Sequence, residues 1–200
     1  MISRQIDTMQ ATVSSPAKVL LLGDPGLRKM SAPVDDPKDD GFRADCQRLH
    51  ATLAAFRAEH GFGRAISAPQ IGVALRFIAV NLGDGPFTMI NPEITWRSTD
   101  TFTMWDDCMS FPFLLVRVRR HRSISVRYLN DDGQVQLMEK LDQATSELLQ
   151  HEIDHLDGVL AVDHALDKDA IVSREVFESK PDWFASKADY IIDSSARKEL

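Results

Sequence analysis

The chain has two cysteines in 200 residues, Cys46 and Cys108. That is too few for a disulfide framework, so a core must hold the fold and a reducing cytoplasm is its natural setting. No apolar run approaches the roughly eighteen residues that span a bilayer, and residues 1–17 carry no hydrophobic signal core. Basic residues are not in excess. The chain has 23 Lys and Arg against 30 Asp and Glu, a net charge of -7, which argues against nucleic-acid or anionic-membrane partners. Internal repeats and long linkers are missing, and the ending Lys198-Glu199-Leu200 falls short of a retention signal. What is present is a chain 44% hydrophobic, enough to bury a substantial core, with a length that suits one domain better than two.

Phe42, Cys46, Leu49, Leu53 and Phe56 recur at helical intervals, which predicts a helix over residues 39–59 stopped by Gly61. Cys46 is then a small apolar residue on its buried face. Strand signals dominate afterwards. Residues 76–80, 87–90, 116–119, 123–128 and 135–140 are short runs rich in β-branched or aromatic residues, separated by turns such as Gly83-Asp84-Gly85 and Asn130-Asp131-Asp132-Gly133. Before the first helix, the apolar run Val19-Leu20-Leu21-Leu22 precedes a turn at Gly23-Asp24-Pro25-Gly26. A second helical run covers residues 142–156. The order reads as α+β, mostly antiparallel strands packed around one buried helix. Residues 1–165 are expected to form the main domain. Residues 166–200 are expected to be an extension packed on it as a short helix or strand, anchored by Val172, Val176, Phe177, Trp183 and Phe184, with the last few residues frayed.

The second helical run contains His151-Glu152-Ile153-Asp154-His155. Two histidines four apart project from one helix face, about 6 Å apart along the axis, so both imidazoles can meet one metal ion with Glu152 beside it. An ordinary reading stays open: Leu148, Leu149, Ile153 and Leu156 could form the core stripe of an amphipathic helix that the histidines merely flank. Cys108 bears on the choice. It lies in Met104-Trp105-Asp106-Asp107-Cys108-Met109-Ser110-Phe111-Pro112, polar and proline-ended, which predicts a loop or strand end. A thiolate with two imidazoles makes three ligands and leaves a fourth position open, the catalytic pattern for zinc-like ions.

Three separated segments together resemble the peptide deformylase family, over about residues 18–164. Ala65-Ile66-Ser67-Ala68-Pro69-Gln70-Ile71-Gly72 is similar to its GLAAPQxG loop, Asp106-Asp107-Cys108-Met109-Ser110 stands where the family has EGCLS, and Gln150-His151-Glu152-Ile153-Asp154-His155-Leu156-Asp157-Gly158 matches its QHExDHLxG helix. Gly23-Asp24-Pro25-Gly26-Leu27-Arg28 and Asn91-Pro92-Glu93-Ile94 fall in the expected order. The resemblance implies one divalent metal ion, Fe²⁺ with Zn²⁺, Ni²⁺ or Co²⁺ as substitutes, held by Cys108, His151 and His155. It implies Glu152 as the base that takes a proton from water acidified by the ion and returns it to the departing amine. Gln70 and the Met109 N–H are implied as donors to the oxyanion. Asp106 and Arg120 match positions that form an ion pair steadying the cysteine loop. Asp154 or Asp157 could take the second N–H of a ligand histidine, although a solvated helix face explains both.

Ala65, Ile66, Ala144, Glu147 and Leu148 match the substrate pocket, where Ala144 and Glu147 replace apolar residues that receive the methionine side chain in many bacterial deformylases. Glu147 either leans into solvent at the rim or makes a roomier, more polar mouth. Two family glycines are replaced, by Ala65 and by Asp107. Alanine is harmless at negative φ and strained at positive φ, and Asp107 adds a charge next to Cys108. The implied activity is removal of formate from formylmethionyl nascent polypeptides, with the peptide met at the ribosome in the cytoplasm and no direct nucleic-acid or membrane contact. Hydrolysis of another N-acyl peptide, or peptide binding without turnover, are the alternatives. A metallopeptidase on the same helix fits less well, since its third ligand lies downstream of the helix and Cys108 lies upstream. The oligomeric state has no signature in the sequence.

Overall fold

The computed structural model of the protein describes residues 14–192; the expected fraying of the last few residues lies outside them. Helix α1 (Asp40–His60) starts where the Asp39 carboxylate accepts the Phe42 N–H at 2.8 Å. It stops at Gly61, whose φ of 72° is a left-handed conformation that glycine adopts without strain. Its Phe42, Cys46, Leu49, Leu53 and Phe56 are buried, as their spacing predicts, against Ile66, Phe77 and Ala79.

Strands β1 (Ala65–Ser67), β2 (Phe77–Asn81), β3 (Pro86–Arg97), β6 (Ile124–Leu129) and β7 (Val135–Met138) join in that order into an antiparallel sheet. A smaller antiparallel sheet holds β4 (Thr101–Asp106), β5 (Leu114–His121) and β8 (Ile171–Ser173). Helix α2 (Gln143–Leu156) begins where the Asp142 carboxylate accepts from the N–H groups of Ala144 and Thr145. Leu148, Leu149, Ile153 and Leu156 pack with Ile78, Val80, Met89, Ile124 and Val126 of the larger sheet. The α2 face that carries Ser146 and Gln150 is tied to the end of β5: the Gln150 amide accepts the His121 N–H and donates to the His121 carbonyl, both at 2.9 Å. This is the α+β architecture expected, with strands around a buried central helix.

Several elements differ from the sequence reading. β3 runs well past residue 90, through Pro92, because its register slips between Ile90 and Glu93 and the proline falls where ladder pairing is already interrupted. Asn91 takes a φ of 50° there, and its side chain holds the Val34 backbone through two 2.9 Å hydrogen bonds. β4 is a buried strand, so Met104, Trp105 and Asp106 belong to the core; only the residues after Asp106 form the loop. The three-residue β1 and β8 were too short to signal themselves.

The apolar run at residues 19–22 forms no strand. It straps two loops instead, as Leu20 donates its N–H to the Gln70 carbonyl and Leu22 donates to the Ser110 carbonyl, each at 2.8 Å. After β8, helices α3 (Arg174–Ser179) and α4 (Pro181–Ala185) set Phe177 and Phe184 on Trp105, whose indole N–H donates to the Phe184 carbonyl at 3.0 Å. No helix among the described residues is long and apolar enough to cross a membrane.

Candidate metal centre

Cys108 lies two residues past the end of β4, and helix α2 presents His151 and His155 to it from the opposite side. All three are buried. The Cys108 Sγ is 3.3 Å from His155 Nε2, which is 3.2 Å from His151 Nε2, and the three ligand atoms lie within 4.8 Å of one another. Metal–nitrogen bonds of about 2.0–2.1 Å in a tetrahedral site put two ligand nitrogens about 3.3–3.4 Å apart, so the two imidazole nitrogens stand at a spacing that suits a divalent ion, with the Cys108 sulfur beside them.

The surrounding charges prepare the ligands. The Asp106 carboxylate accepts from His151 Nδ1 at 3.0 Å and from the Arg120 guanidinium at 3.1 Å. Burial alone would raise the Asp106 pKa, but His151 and Arg120 hold it well below the usual carboxylate range. Burial would likewise lower that of His151, yet Asp106 and Cys108 hold it well above its ordinary value. For His155, burial and then the charge of His151 push the pKa well below the ordinary value. The carboxylate that orients His151 is therefore Asp106. Asp154 is drawn to Arg120 and His164, and Asp157, just past the end of α2, to Arg76. The Nδ1 of His155 has no hydrogen-bond partner among the described residues.

Glu152 is buried beside the ligands. The Ser67 hydroxyl lies within hydrogen-bonding distance of its carboxylate and, at 2.8 Å, of its backbone carbonyl. Burial pushes the Glu152 pKa up, against the pull of His151 and of the Ser67 hydroxyl. Gln70 sits in a 3₁₀ turn, where its side-chain oxygen accepts the Ser67 N–H at 2.9 Å. That bond aims its amide nitrogen at Ser110 Oγ, 3.2 Å away, and at Cys108 Sγ, 3.7 Å away.

These groups open onto a cavity of about 140 Å³. Gln70, Asp106, Cys108, Met109, His151 and Glu152 line it, as do Ala65, Ala144, Glu147 and Leu148 of the expected pocket. Ile66 does not. Strand alternation turns it away from Ala65 into the α1 core, where it is fully buried. Arg120 stays behind the cavity.

Glu147 is not solvated: it is 2% exposed and paired with Arg64, which also donates to the Ala144 carbonyl at 2.9 Å. Burial pushes its carboxyl up to about 7 against the attraction of Arg64. The two replaced glycines cause no strain, since Asn91 and Lys140 are the only non-glycine residues with positive φ among those described. The Asp107 carboxylate accepts from the Arg174 guanidinium at 3.2 Å, so the charge feared beside Cys108 is met by the C-terminal segment. Sequence reasoning did not identify Arg64, Ser67, Tyr190 or Ile192 at this site. Ser67 alone left a trace, as a hydroxyl in place of a motif alanine.

A thiolate and two imidazoles around one point, with a buried carboxylate and an amide donor on the same α+β frame, define a metal-dependent hydrolase site. The polypeptide deformylase family model matches residues 16–170. The chain is 36% identical over 146 residues to a peptide deformylase of Thermotoga neapolitana, covering 73% of this chain and 85% of that one. The crystal structure of the Thermotoga maritima peptide deformylase superposes with a TM-score of 0.69 at 33% identity, over 76% of this chain and 99% of that one. A Synechococcus elongatus peptide deformylase in complex with actinonin superposes with a TM-score of 0.69 at 26% identity, over 92% of this chain and 94% of that one. This chain belongs to the polypeptide deformylase family.

Proposed function

We propose that the protein removes the N-terminal formyl group from formylmethionyl nascent polypeptides, with Cys108, His151 and His155 as metal ligands and Glu152 as the proton carrier. The observation that carries this is the convergence of Cys108, His151, Glu152 and Gln70 on one cavity, with His155 buried in the same ligand cluster. The ion, when bound, lowers the pKa of water and polarises the formyl oxygen. Glu152 accepts a proton from the attacking water as its oxygen bonds to the formyl carbon. Its raised pKa makes it a stronger proton acceptor than an ordinary carboxylate. The Gln70 amide and the Met109 N–H donate to the formyl oxygen as negative charge develops there; losing one such donor costs about 10²–10³ in rate. The carbon–nitrogen bond then breaks, Glu152 gives its proton to the departing amine, and formate leaves. Asp106, backed by Arg120, orients His151, and Ser67 with Gln70 holds the Glu152 side of the cleft.

The ion is read as Fe²⁺, with Zn²⁺, Ni²⁺ and Co²⁺ as substitutes that a thiolate and two imidazoles also accept. Formylated N-termini arise during translation, so the substrate is met in the cytoplasm as it leaves the ribosome, and the net charge of -7 speaks against direct contact with RNA.

The test is metal analysis alongside hydrolysis of formyl-Met-Ala. Cys108→Ser, His151→Ala and His155→Ala should each lose bound metal, whereas Glu152→Ala should keep metal and lose turnover. Full metal stoichiometry in Cys108→Ser would refute the ligand assignment. Activity that decays in air and is preserved by Ni²⁺ supports Fe²⁺, because a ferrous thiolate oxidises; an air-stable zinc form that is the most active would refute it.

A further inference from the structure

We propose that residues 189–192 form a wall of the substrate cleft and select the side chain next to the formyl group. The inference deepens the deformylase reading and rests on it. These residues lie beyond the 16–170 stretch that the family model matches.

The segment is anchored on β4, the strand that leads to Cys108. Thr103 donates from both its N–H and its hydroxyl to the Asp189 carboxylate, each at 2.8 Å. Its carbonyl accepts the Asp189 and Tyr190 N–H groups at 3.0 and 3.1 Å. Tyr190 continues as a parallel bridge to Met104, and its ring meets Phe102 edge-on at 5.5 Å. Four hydrogen bonds and a ring contact over two residues make a fixed attachment of the chain to a sheet edge.

From that anchor Tyr190 and Ile192 pack on the cluster that contains Cys108 and Phe111, and both line the cavity. Glu147 and Arg64 line it as well, so an aromatic and a branched aliphatic side chain share the cleft with a paired carboxylate and guanidinium. Asp107 and Tyr190 both favour the charged form of Arg64, which puts Tyr190 within electrostatic reach of that pair. Ala144 and Glu147 stand where the resemblance implies apolar residues for a methionine side chain, which leaves Leu148 as the large apolar side chain that α2 offers the cleft. Tyr190 and Ile192 supply apolar surface from the other end of the chain.

The ligand class is therefore a formylated peptide whose first side chain is apolar. Tyr190→Ala and Ile192→Ala should each lower kcat/KM for formyl-Met-Ala-Ser by about tenfold, with formyl-Gly-Ala-Ser changed by less than about twofold because glycine has no side chain for the wall to hold. Ile192→Trp, which fills the wall rather than emptying it, should also penalise the methionine peptide selectively. Metal content and Tm are read on each variant. Equal losses on both peptides, or none, overturn the proposal and leave the segment a prop for β4. Calorimetric titration of Met-Ala-Ser separates this failure from failure of the activity itself. Wild-type protein that binds the peptide without turning over its formyl form refutes the activity, and the change in Kd with Tyr190→Ala then decides the wall. Absence of binding overturns the wall as well.

Discussion

Glu147 stands four residues before His151, yet its surroundings are those of a buried ion pair. Water reaches it hardly at all, and Arg64, whose side chain is 24% exposed, is its counter-charge. Removing one member of a buried pair leaves the other charge without compensation, at about 3–5 kcal/mol for a fully buried case. Given the partial exposure of Arg64, Glu147→Ile should cost about 2 kcal/mol by denaturant unfolding of the metal-loaded protein above the folded pKa of about 7, where the carboxyl is charged and the pair is complete. Arg64→Leu combined with Glu147→Ile should recover that loss, since apolar replacement of both partners is often neutral or better. A single variant as stable as the parent would show that the pair contributes nothing. The pH dependence has a definite sign. The folded pKa of about 7 lies above the ordinary 4.5, so the stability that Glu147 contributes is complete below pH 4.5 and is lost as pH rises through 7. Glu147→Gln should remove that part of the pH profile.

At the scale of elements, the C-terminal end of α2 is closed by Gly158, at a φ of 73°. A Cβ there would lie 2.6 Å from the Arg28 carbonyl oxygen and 2.8 Å from its carbon, both backbone atoms. Nearby, Ser31 donates its N–H to the Leu156 carbonyl at 2.8 Å, so the N-terminal segment is pinned against the helix end. Gly158→Ala should therefore cost about 2–3 kcal/mol and lower Tm by roughly 5–10 °C in a scanning experiment. An unchanged Tm would mean that the Arg28 segment moves aside without penalty. The same elements show what the sequence made legible. α1 and α2 announced themselves because cap, period and stop are local signals. β3 was cut short because Pro92 reads as a breaker unless the bulge at Asn91 is known. Motif residues such as Cys108, His151, His155 and Gln70 could be picked out individually. The partners Arg64 and Glu147, Ser67 and Glu152, or Asp106 and His151 are 83, 85 and 45 positions apart, and no local periodicity joins them.

Across the whole molecule, the proposed ligand set joins two bodies: Cys108 follows the smaller sheet, whereas both histidines belong to the helix packed on the larger one. A bound ion is thus a tie between them, and at a concentration one hundred times its Kd it stabilises the fold by about 2.7 kcal/mol. Chelation should lower Tm accordingly, and the loss should grow with pH. In the chelated protein His151 has a pKa above its ordinary 6.5, so its contribution is complete below 6.5 and is lost as pH rises through the folded value. Asp106, depressed below its ordinary 3.8, contributes above that pH and loses its contribution as pH falls through its folded value. Metal uptake must displace the His151 proton, so it should release acid and tighten as pH rises, which calorimetry in buffers of different ionisation enthalpy would measure. Metal affinity flat from pH 6 to 8 would contradict this arrangement of charges.

The tie also has a timetable. Cys108 and His155 are 47 positions apart, which a ribosome working at about 5–20 residues per second spans in roughly 2–9 s. Throughout that interval the future ligand is a solitary thiol on an unfinished sheet, open to oxidants and to whichever soft cation arrives first. The three side chains can act together only once α2 has emerged, so metal loading follows the arrival of His155 and cannot guide the folding of the smaller sheet before it.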